Sequence, residues 1–350
     1  MGEQKTAGRY MTWWYSLLHL MVDGICAFAM FGRFLTTQNQ VLDFLLYNFC
    51  AFALQMPFGV MLDMKVSKNK NTLPCFVAVL GVLCTLLGTV THPIILGTGN
   101  ALFHIGGGVG TIYEDSAQHW NGKGLGIFVA PGALGLYLGT LAAKNNTAPH
   151  WLWAVCIGML LCGAAACRQA GKQCHHSISE TGMINSNPLQ RPAHALSLCC
   201  LLVVILRSYL GMTVTFSWKT SVFGGLIAVL AIVLGKAAGG ILAARYGILQ
   251  VSTVSLLMAA ITYLGAPIMP FGAAALFLFN MTMPITLNLM VRHYPHMPGF
   301  SFGFLTFGLF LGFLPACFGL PAASDGHMTA CAGSVLSLLI LYAGIRPRSC

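Results

Sequence analysis

Long runs of apolar residues, separated by short polar connections, follow one another along the whole chain. The runs are about 18 to 23 residues long, the length that an α-helix needs to cross the hydrocarbon core of a bilayer. Strands of a membrane barrel would instead alternate apolar and polar residues in segments of about 10. The pattern therefore predicts twelve spans, at residues 11–35, 41–62, 73–91, 94–113, 124–143, 150–167, 196–216, 222–244, 250–269, 271–291, 299–320 and 329–345.

The composition argues against a soluble protein. Of the 350 residues, 57% are hydrophobic and only 7% are charged, whereas an ordinary soluble domain carries about 25% charged residues. The first apolar run is too long for a signal peptide and lacks a small-residue cleavage site, so it is kept as span 1. We expect an all-α membrane protein.

One polar connection is much longer than the others and lies near the middle of the chain, between spans 6 and 7. Twelve helices of about 20 residues each leave no room for an additional soluble domain. The sequence thus predicts two six-helix bundles, residues 1–170 and 196–350, joined by a cytoplasmic linker at residues 171–195.

Basic residues are divided unevenly between the two sides of the predicted bundle. The chain has 18 Lys and Arg residues against 8 Asp and Glu residues, a net charge of +10. With a cytoplasmic N-terminus, thirteen bases lie inside and only Arg33, Lys144 and Lys219 lie outside. Because basic loops stay in the cytoplasm, we predict a plasma (inner) membrane protein with both termini inside. We expect the protein to be a monomer surrounded by membrane lipid. We expect no nucleic-acid partner.

No sequence motif indicates a resident metal or cofactor. Most of the 13 cysteines lie inside apolar runs and no C-x-x-C pair occurs, so they are interpreted as small core residues. The chain has no P-loop, which excludes ATP as a source of energy from this chain. We expect no cofactor and no enzymatic activity.

A short motif recurs at the same place in both predicted halves, after span 2 and after span 8. A glycine near the end of the span is followed by an acid, or its replacement, and by bases. The first copy contains Gly59, Asp63, Lys65 and Lys68, and the second contains Gly240, Ala244, Arg245 and Gly247. Glycine allows helices to approach closely, and the acid can cap a neighbouring helix. A duplicated six-helix unit is typical of alternating-access carriers.

On this motif the chain resembles the major facilitator superfamily, whose signature after the second helix is G-x-x-x-D-[RK]-x-G-[RK]-[RK]. Met64 and Ser67 depart from the signature. The resemblance implies twelve helices in two pseudo-symmetric halves, with a central site between them. It implies a role in gating for Asp63, but not for the second copy, where Ala244 replaces the acid.

Span 5 contains a second motif of the same family. The segment from Gly126 to Gly135, with Pro131 at its centre, is similar to the G-P-x-x-G-G motif of the family's antiporters, although Ala130 and Leu134 depart from it. A proline between small residues kinks a helix and lets a neighbour approach. This similarity implies efflux by exchange.

Several polar side chains lie near the middle of predicted spans, where an ionisable group costs on the order of 2.5 to 3.5 kcal/mol. These residues are His19, Asp23, His104, Arg207, Lys236 and Asn280. In the major facilitator fold, spans 1, 4, 7 and 10 line the central cavity. The H-x-x-x-D of span 1, the Phe-His of span 4 and the Leu-Arg-Ser of span 7 are similar to the fosmidomycin-resistance branch. That branch implies export of drugs or organic solutes in exchange for protons.

The midplane residues suggest both a proton site and an anion site. His19 and Asp23 are four residues apart and share one helix face, so a buried acid and imidazole can load and release a proton. Alternatively, Asp23 and Arg207 form a permanent ion pair while His19 donates to a backbone carbonyl. Arg207 stays charged, and with Lys236 it favours an anionic or zwitterionic solute. Lys236 can instead snorkel or meet a helix end.

The sequence predicts a secondary transporter that moves a small organic, anionic solute by alternating access, with proton exchange and efflux favoured. Three alternatives remain. The first is an uptake permease or uniporter for an organic solute. The second is a divalent-metal permease using His19, Asp23 and His104, although Arg207 and Lys236 would repel its cargo. The third is an acyltransferase, since residues 19–24 spell H-x-x-x-D-G, but its α/β domain is not predicted.

Overall fold

The computed structural model describes residues 2–36, 38–65, 72–145, 150–176, 193–319 and 326–345. Lys68 and most of the predicted linker lie outside these residues. The described chain is helical, with no strand in the ranges just given. It forms twelve helices: α1 (Gly2–Gly32), α2 (Gln40–Lys65), α3 (Thr72–Val90), α4 (Pro93–Ala117), α5 (Lys123–Lys144), α6 (His150–His176), α7 (Ala193–Thr213), α8 (Val222–Tyr246), α9 (Ile248–Leu264), α10 (Met269–His293), α11 (Pro298–Cys317) and α12 (Gly326–Ile345).

The twelve predicted spans are confirmed, each by one of these helices. Ten of the helices are long and apolar enough to cross a bilayer by length and composition. The remaining two are α9, which has 17 residues, and α4, which is less apolar because it is rich in glycine and contains Asn100 and His104. The chain is therefore an all-α, multi-pass membrane protein.

Three of the helices are irregular near their middle. In α2 the residues Phe49–Ala53 form a π-helical turn, α5 is interrupted at Ala130 and Pro131, and α10 is interrupted at Met281. Backbone of this kind is tolerated at membrane depth only where protein or a cavity surrounds it. The interruption of α5 has a direct effect on the site described below.

Small residues bring α1 and α5 into close contact. Gly135 and Gly139 of α5 lie directly against the backbone of Leu20 and Gly24 in α1, so that a Cβ at either α5 position would clash with a carbonyl oxygen. Close approach of this kind is the common use of glycine between membrane helices. The polar side chains in the middle of α1 are thereby held against the interruption in α5.

The first six helices meet the last six mainly through two pairs, α2 with α11 and α5 with α8. At the end that is predicted to face the cytoplasm, Gly59 of α2 packs against Gly299 of α11. In the second pair, a Cβ on Gly240 of α8 would lie 2.7 Å from the carbonyl oxygen of Gly122. The glycines of the repeated motif thus both lie where the two halves touch.

Candidate functional site

A buried polar cluster joins α1 to α4 in the first half of the chain. The Nε2 atoms of His19 and His104 are 2.9 Å apart. Asp23 lies beside both rings, with 3.2 Å between its Oδ2 atom and Nε2 of His19 and 3.7 Å between its Oδ1 atom and Nε2 of His104. The amide of Asn100, one turn before His104, donates to Oδ1 of Asp23 at 3.1 Å.

Backbone carbonyls fix the orientation of both imidazole rings. Nδ1 of His19 lies 2.7 Å from the carbonyl oxygen of Phe128, and Nδ1 of His104 lies 2.9 Å from that of Asn100. A carbonyl oxygen only accepts hydrogen bonds, so each Nδ1 atom must carry a hydrogen. Both Nε2 atoms are therefore directed towards each other and towards Asp23.

The interruption of α5 supplies acceptors for two side chains of α1. Pro131 has no N–H, and the last carbonyls of a helical segment lack partners within that segment. Phe128 and Ile127 occupy the end of the segment Lys123–Val129, and their carbonyl oxygens accept from His19 at 2.7 Å and from Ser16 at 3.2 Å.

Gly132 begins the second segment of α5 and lies directly on the cluster. A Cβ at this position would clash with Nε2 of His19 and would lie 2.5 Å from Oδ2 of Asp23. No larger residue fits without displacing one of these groups. The segment around Pro131, which sequence analysis associated with exchange, is thus part of the walls of the polar cluster.

The three residues considered as possible ligands of a divalent ion do lie together. One donor atom from each of His19, Asp23 and His104 can be chosen so that all three lie within 4.8 Å of one another. The same atoms are also at or near hydrogen-bonding distance, which suits a proton. The geometry is therefore compatible with either a divalent metal ion or a proton.

Arg207 lies in the second half, on the wall of a narrow cleft with a cavity volume of about 30 Å³. Its Nε atom is enclosed by protein and has no hydrogen-bond partner. Most of the cleft wall is apolar, and Phe302 connects it to the polar cluster because its ring lies 6.2 Å from that of Phe128, next to His19. The residues around the cleft are Val129, Val204, Arg207, Met283, Thr286, Leu287, Phe302, Leu305, Thr306 and Leu309.

The ion pair between Asp23 and Arg207, one of the two arrangements expected from the sequence, is not formed in the described part of the chain. Asp23 is instead paired with the two histidines and Asn100. Within the described part of the chain, the Arg207 guanidinium forms no ion pair at all. The physical reason is that α1 and α4 supply closer partners for the carboxylate from within its own half.

The side chain of Lys236 in α8 lies near both Arg207 and the polar cluster. It is near enough to Arg207, Asp23 and His104 to interact electrostatically with each. No hydrogen bond or ion pair to Lys236 is formed by any residue that the structure describes. Lys236 therefore approaches the acid and an imidazole of the first half without being neutralised, and Arg207 lies within electrostatic range of Lys236.

Asn280 is not brought into this cluster. Its amide donates to the carbonyl oxygen of Leu276, one turn earlier in its own helix, at 2.8 Å. It is the last residue of the first segment of α10 and stabilises that end. The structure thus offers a local explanation for a polar residue that the sequence placed in the site.

Asp63 connects the two halves at the end that is predicted to be cytoplasmic. Its Oδ1 and Oδ2 atoms accept from the backbone N–H groups of Gly299 and Phe300, each at 2.8 Å. These N–H groups begin α11, and a carboxylate is favoured there because the N-terminus of a helix is positive. Lys65 is exposed at the end of α2.

The second copy of the motif forms a different contact. Ala244 has no carboxylate, and Arg245 is exposed, with its guanidinium 5.2 Å from the ring centre of Tyr246. The start of α5 is instead capped by Asp115 from its own half, which accepts from the N–H groups of Gly122 and Gly124 at 2.7 Å each.

A polar tie between the halves replaces the missing acid at this position. Asn288 of α10 donates to the carbonyl oxygen of Asn121 at 2.8 Å, and Nε of Arg292 donates to Asn288 Oδ1 at 3.2 Å. Neither Asn288 nor Asn100 was predicted from the sequence. Asn100 could have been found from its spacing of four residues before His104, whereas nothing in the sequence pairs Asn288 with residue 121.

No protein-family model and no curated protein matches the sequence. Among solved structures, the bacterial homologue of the iron transporter ferroportin is 13% identical with a TM-score of 0.62, covering 95% of this chain and 99% of its own. The human organic anion transporter MFSD10 is 16% identical with a TM-score of 0.59, again covering 95% and 99%.

The E. coli fucose:proton symporter FucP is 10% identical with a TM-score of 0.55, covering 95% of this chain and 98% of its own. FucP is a major facilitator superfamily transporter. At these identities the likeness concerns the fold, over nearly the whole of each chain. The chain therefore has the twelve-helix fold of the major facilitator superfamily, as its sequence predicted.

Proposed function

We propose that this protein is a secondary transporter that moves a small organic anion across the membrane and is coupled to protons. The fold supports a transporter rather than an enzyme, because the three similar solved proteins named above are transporters or a transporter homologue. The observation that supports an anionic substrate is the unpaired guanidinium of Arg207, which lies on the wall of the cleft between α7, α10 and α11.

A charged side chain at membrane depth needs a partner of opposite charge. Arg207 has none among the described residues, and the planar guanidinium binds carboxylate and phosphate groups with two parallel hydrogen bonds. The apolar wall of the cleft suits the carbon skeleton of an organic molecule. Lys236, which lies within electrostatic range of Arg207, adds a second positive charge for the same anion.

Proton coupling is supported by the polar cluster of His19, Asp23 and His104. An acid and two imidazoles in contact, in the half opposite Arg207, are groups that can take up and release a proton. Two of the solved proteins with this fold, a fucose:proton symporter and an organic anion transporter, carry substrates of the proposed kinds. Their activities support the proposal by analogy of fold.

The direction of transport is predicted by sequence motifs alone. The segment around Pro131 and the similarity to the fosmidomycin-resistance branch favour efflux in exchange for protons, and uptake is the alternative. Both directions are compatible with a central site that opens to each side in turn.

Purified protein is screened for thermal stabilisation by anionic drugs, phosphonates, sugars and organic acids. Stabilising compounds are then followed in vesicles with an imposed pH gradient of either sign. We expect anions to stabilise the protein and to move with the gradient. Stabilisation by neutral or cationic compounds only would contradict the anion proposal, and anion movement that ignores the pH gradient would contradict the coupling.

A further inference from the structure

We propose that the coupling proton is held between the Nε2 atoms of His19 and His104, and that Asp23 remains ionised as its counterion. This inference rests on the proposed proton coupling and names the group that performs it. It is narrower than the expectation from the sequence, in which Asp23 and His19 together load and release a proton. The evidence is the number of hydrogen atoms that the distances around the two imidazole rings require.

Both imidazoles already carry one hydrogen, on Nδ1, because each Nδ1 atom faces a backbone carbonyl oxygen at 2.7 or 2.9 Å. A neutral imidazole has only one N–H. Two neutral rings would therefore direct lone pairs at each other across the 2.9 Å between their Nε2 atoms. A hydrogen bond at this distance requires one additional proton, shared by His19 and His104.

Asp23 is placed to balance that proton. Its two oxygens lie 3.2 and 3.7 Å from the Nε2 atoms of His19 and His104, and Oδ1 also accepts from the amide of Asn100. An ionised carboxylate accepts hydrogen bonds and does not donate them, which fits the Asn100 amide on one side and the positively charged histidine pair on the other. The loaded cluster is neutral overall, and loss of the proton leaves one negative charge.

The groups that face the cluster come from several helices. Tyr47 of α2 and Cys26 of α1 are hydrogen-bonded to each other beside Asp23, and α5 presents the Phe128 carbonyl and the backbone of Gly132. The only nearby positive charge among the described side chains is that of the second half, Lys236 with Arg207 beyond it. Lys236 opposes a second cation on the cluster.

A proton explains the geometry better than a divalent metal ion does. The 2.9 Å between the Nε2 atoms of His19 and His104 is an ordinary hydrogen-bond length, and a single charge is fully balanced by Asp23. A divalent ion would leave an excess positive charge near Lys236. Binding of a divalent metal ion at this cluster is therefore one of the outcomes that the experiment distinguishes.

The experiment is nitrogen NMR of the full-length protein in lipid nanodiscs with ¹⁵N-labelled histidine. As the pH is lowered, we expect the signals of His19 and His104 to keep protonated Nδ1 atoms and to gain one proton shared by their Nε2 atoms. His104→Gln should return the His19 ring to the neutral form, and His92→Gln, which alters a helix cap away from the cluster, should change neither. Wild-type rings that keep bare Nε2 atoms at every pH, while the Asp23 carboxyl takes up the proton, would overturn the proposal without any variant.

Two further measurements separate this inference from the proposed function. Zn²⁺ is added to the same sample, and stoichiometric binding that shifts both Nε2 signals and is lost in His104→Gln would overturn the proton assignment in favour of a metal site. Vesicle transport that ignores a pH gradient, combined with a shared proton in the spectra, would overturn proton coupling but leave the assignment of the proton intact. A shared proton and no Zn²⁺ binding is the result that we expect.

Discussion

The His19 imidazole donates a hydrogen bond from Nδ1 to the carbonyl oxygen of Phe128, over 2.7 Å. That carbonyl is free because α5 is interrupted at Ala130 and Pro131. A kink in one helix thus decides which nitrogen of a histidine in another helix is available to the site. The predictions below follow from this and related contacts.

Restoring the continuity of α5 should disturb the polar cluster. In Pro131→Ala, residue 131 gains an N–H that competes with Ser16 for the carbonyl of Ile127, and the path of the helix below His19 changes. The loss of one such hydrogen bond is worth about 1 kcal/mol, so we expect transport to fall about fivefold. Pro315→Ala, which removes the proline inside α11, serves as the control. Equal effects of the two changes on transport would contradict this role for Pro131.

A methyl group at Gly132 should be harmful where one at Gly211 is not. The added Cβ at Gly132 meets His19 and Asp23, whereas a Cβ at Gly211 has no atom within 4 Å. Replacing glycine by alanine inside a helix otherwise stabilises it by about 0.5–1 kcal/mol. We expect Gly132→Ala to abolish transport and Gly211→Ala to retain it with an unchanged or higher melting temperature. Normal transport by Gly132→Ala, in a protein that folds, would show that the cluster is not the coupling site.

Removal of the Arg207 charge should weaken anion binding. A hydrogen bond to a charged group contributes about 1.5–3 kcal/mol, so Arg207→Gln should raise the dissociation constant of the anion found in the screen about 10- to 100-fold. Calorimetric titration measures this constant. Arg168→Gln, at an exposed position on α6, should leave it unchanged. An unaltered constant in Arg207→Gln would remove Arg207 from the substrate site.

Anion binding and protonation should assist each other. The proton makes the His19–His104 pair positive, and the anion neutralises Lys236, which otherwise opposes that proton. We therefore expect anion affinity to rise as the pH falls, and the pH dependence to flatten in His104→Gln. Mutual assistance is the sign needed for co-transport, so this result would contradict the exchange that the sequence motifs favour. Affinity that falls with falling pH would instead indicate competition, which suits the exchange predicted from the segment around Pro131.

The two carboxylates that cap helices at the predicted cytoplasmic end should differ in effect. Asp63 caps α11 across the halves and Asp115 caps α5 within its own half. Loss of a cap costs about 0.5–2 kcal/mol. Asp63→Asn should therefore increase the population that is open at this end, measured by distances between spin labels on the two halves. Asp115→Asn should lower the melting temperature without that opening, and an identical response of the two variants would contradict the assignment.

Several parts of the site could be predicted from the sequence for simple physical reasons. The spacing of His19 and Asp23 places both on one face of any helix, and a charge at membrane depth is rare enough to draw attention to Arg207 and Lys236. Asn280 shows the limit of this reasoning, because a buried amide can be satisfied by its own helix as well as by a substrate.

The sequence by itself determined the twelve helices, because a bilayer demands a particular length and apolarity from every segment that crosses it. It also indicated which side chains are costly to bury. Only the tertiary structure decided that Asp23 pairs with His104 and not with Arg207, and that Asn288 takes the place of the missing acid near α5. These pairings depend on angstrom-scale distances between helices far apart in the chain, and such distances are set by packing around glycines and by the interruption at Pro131.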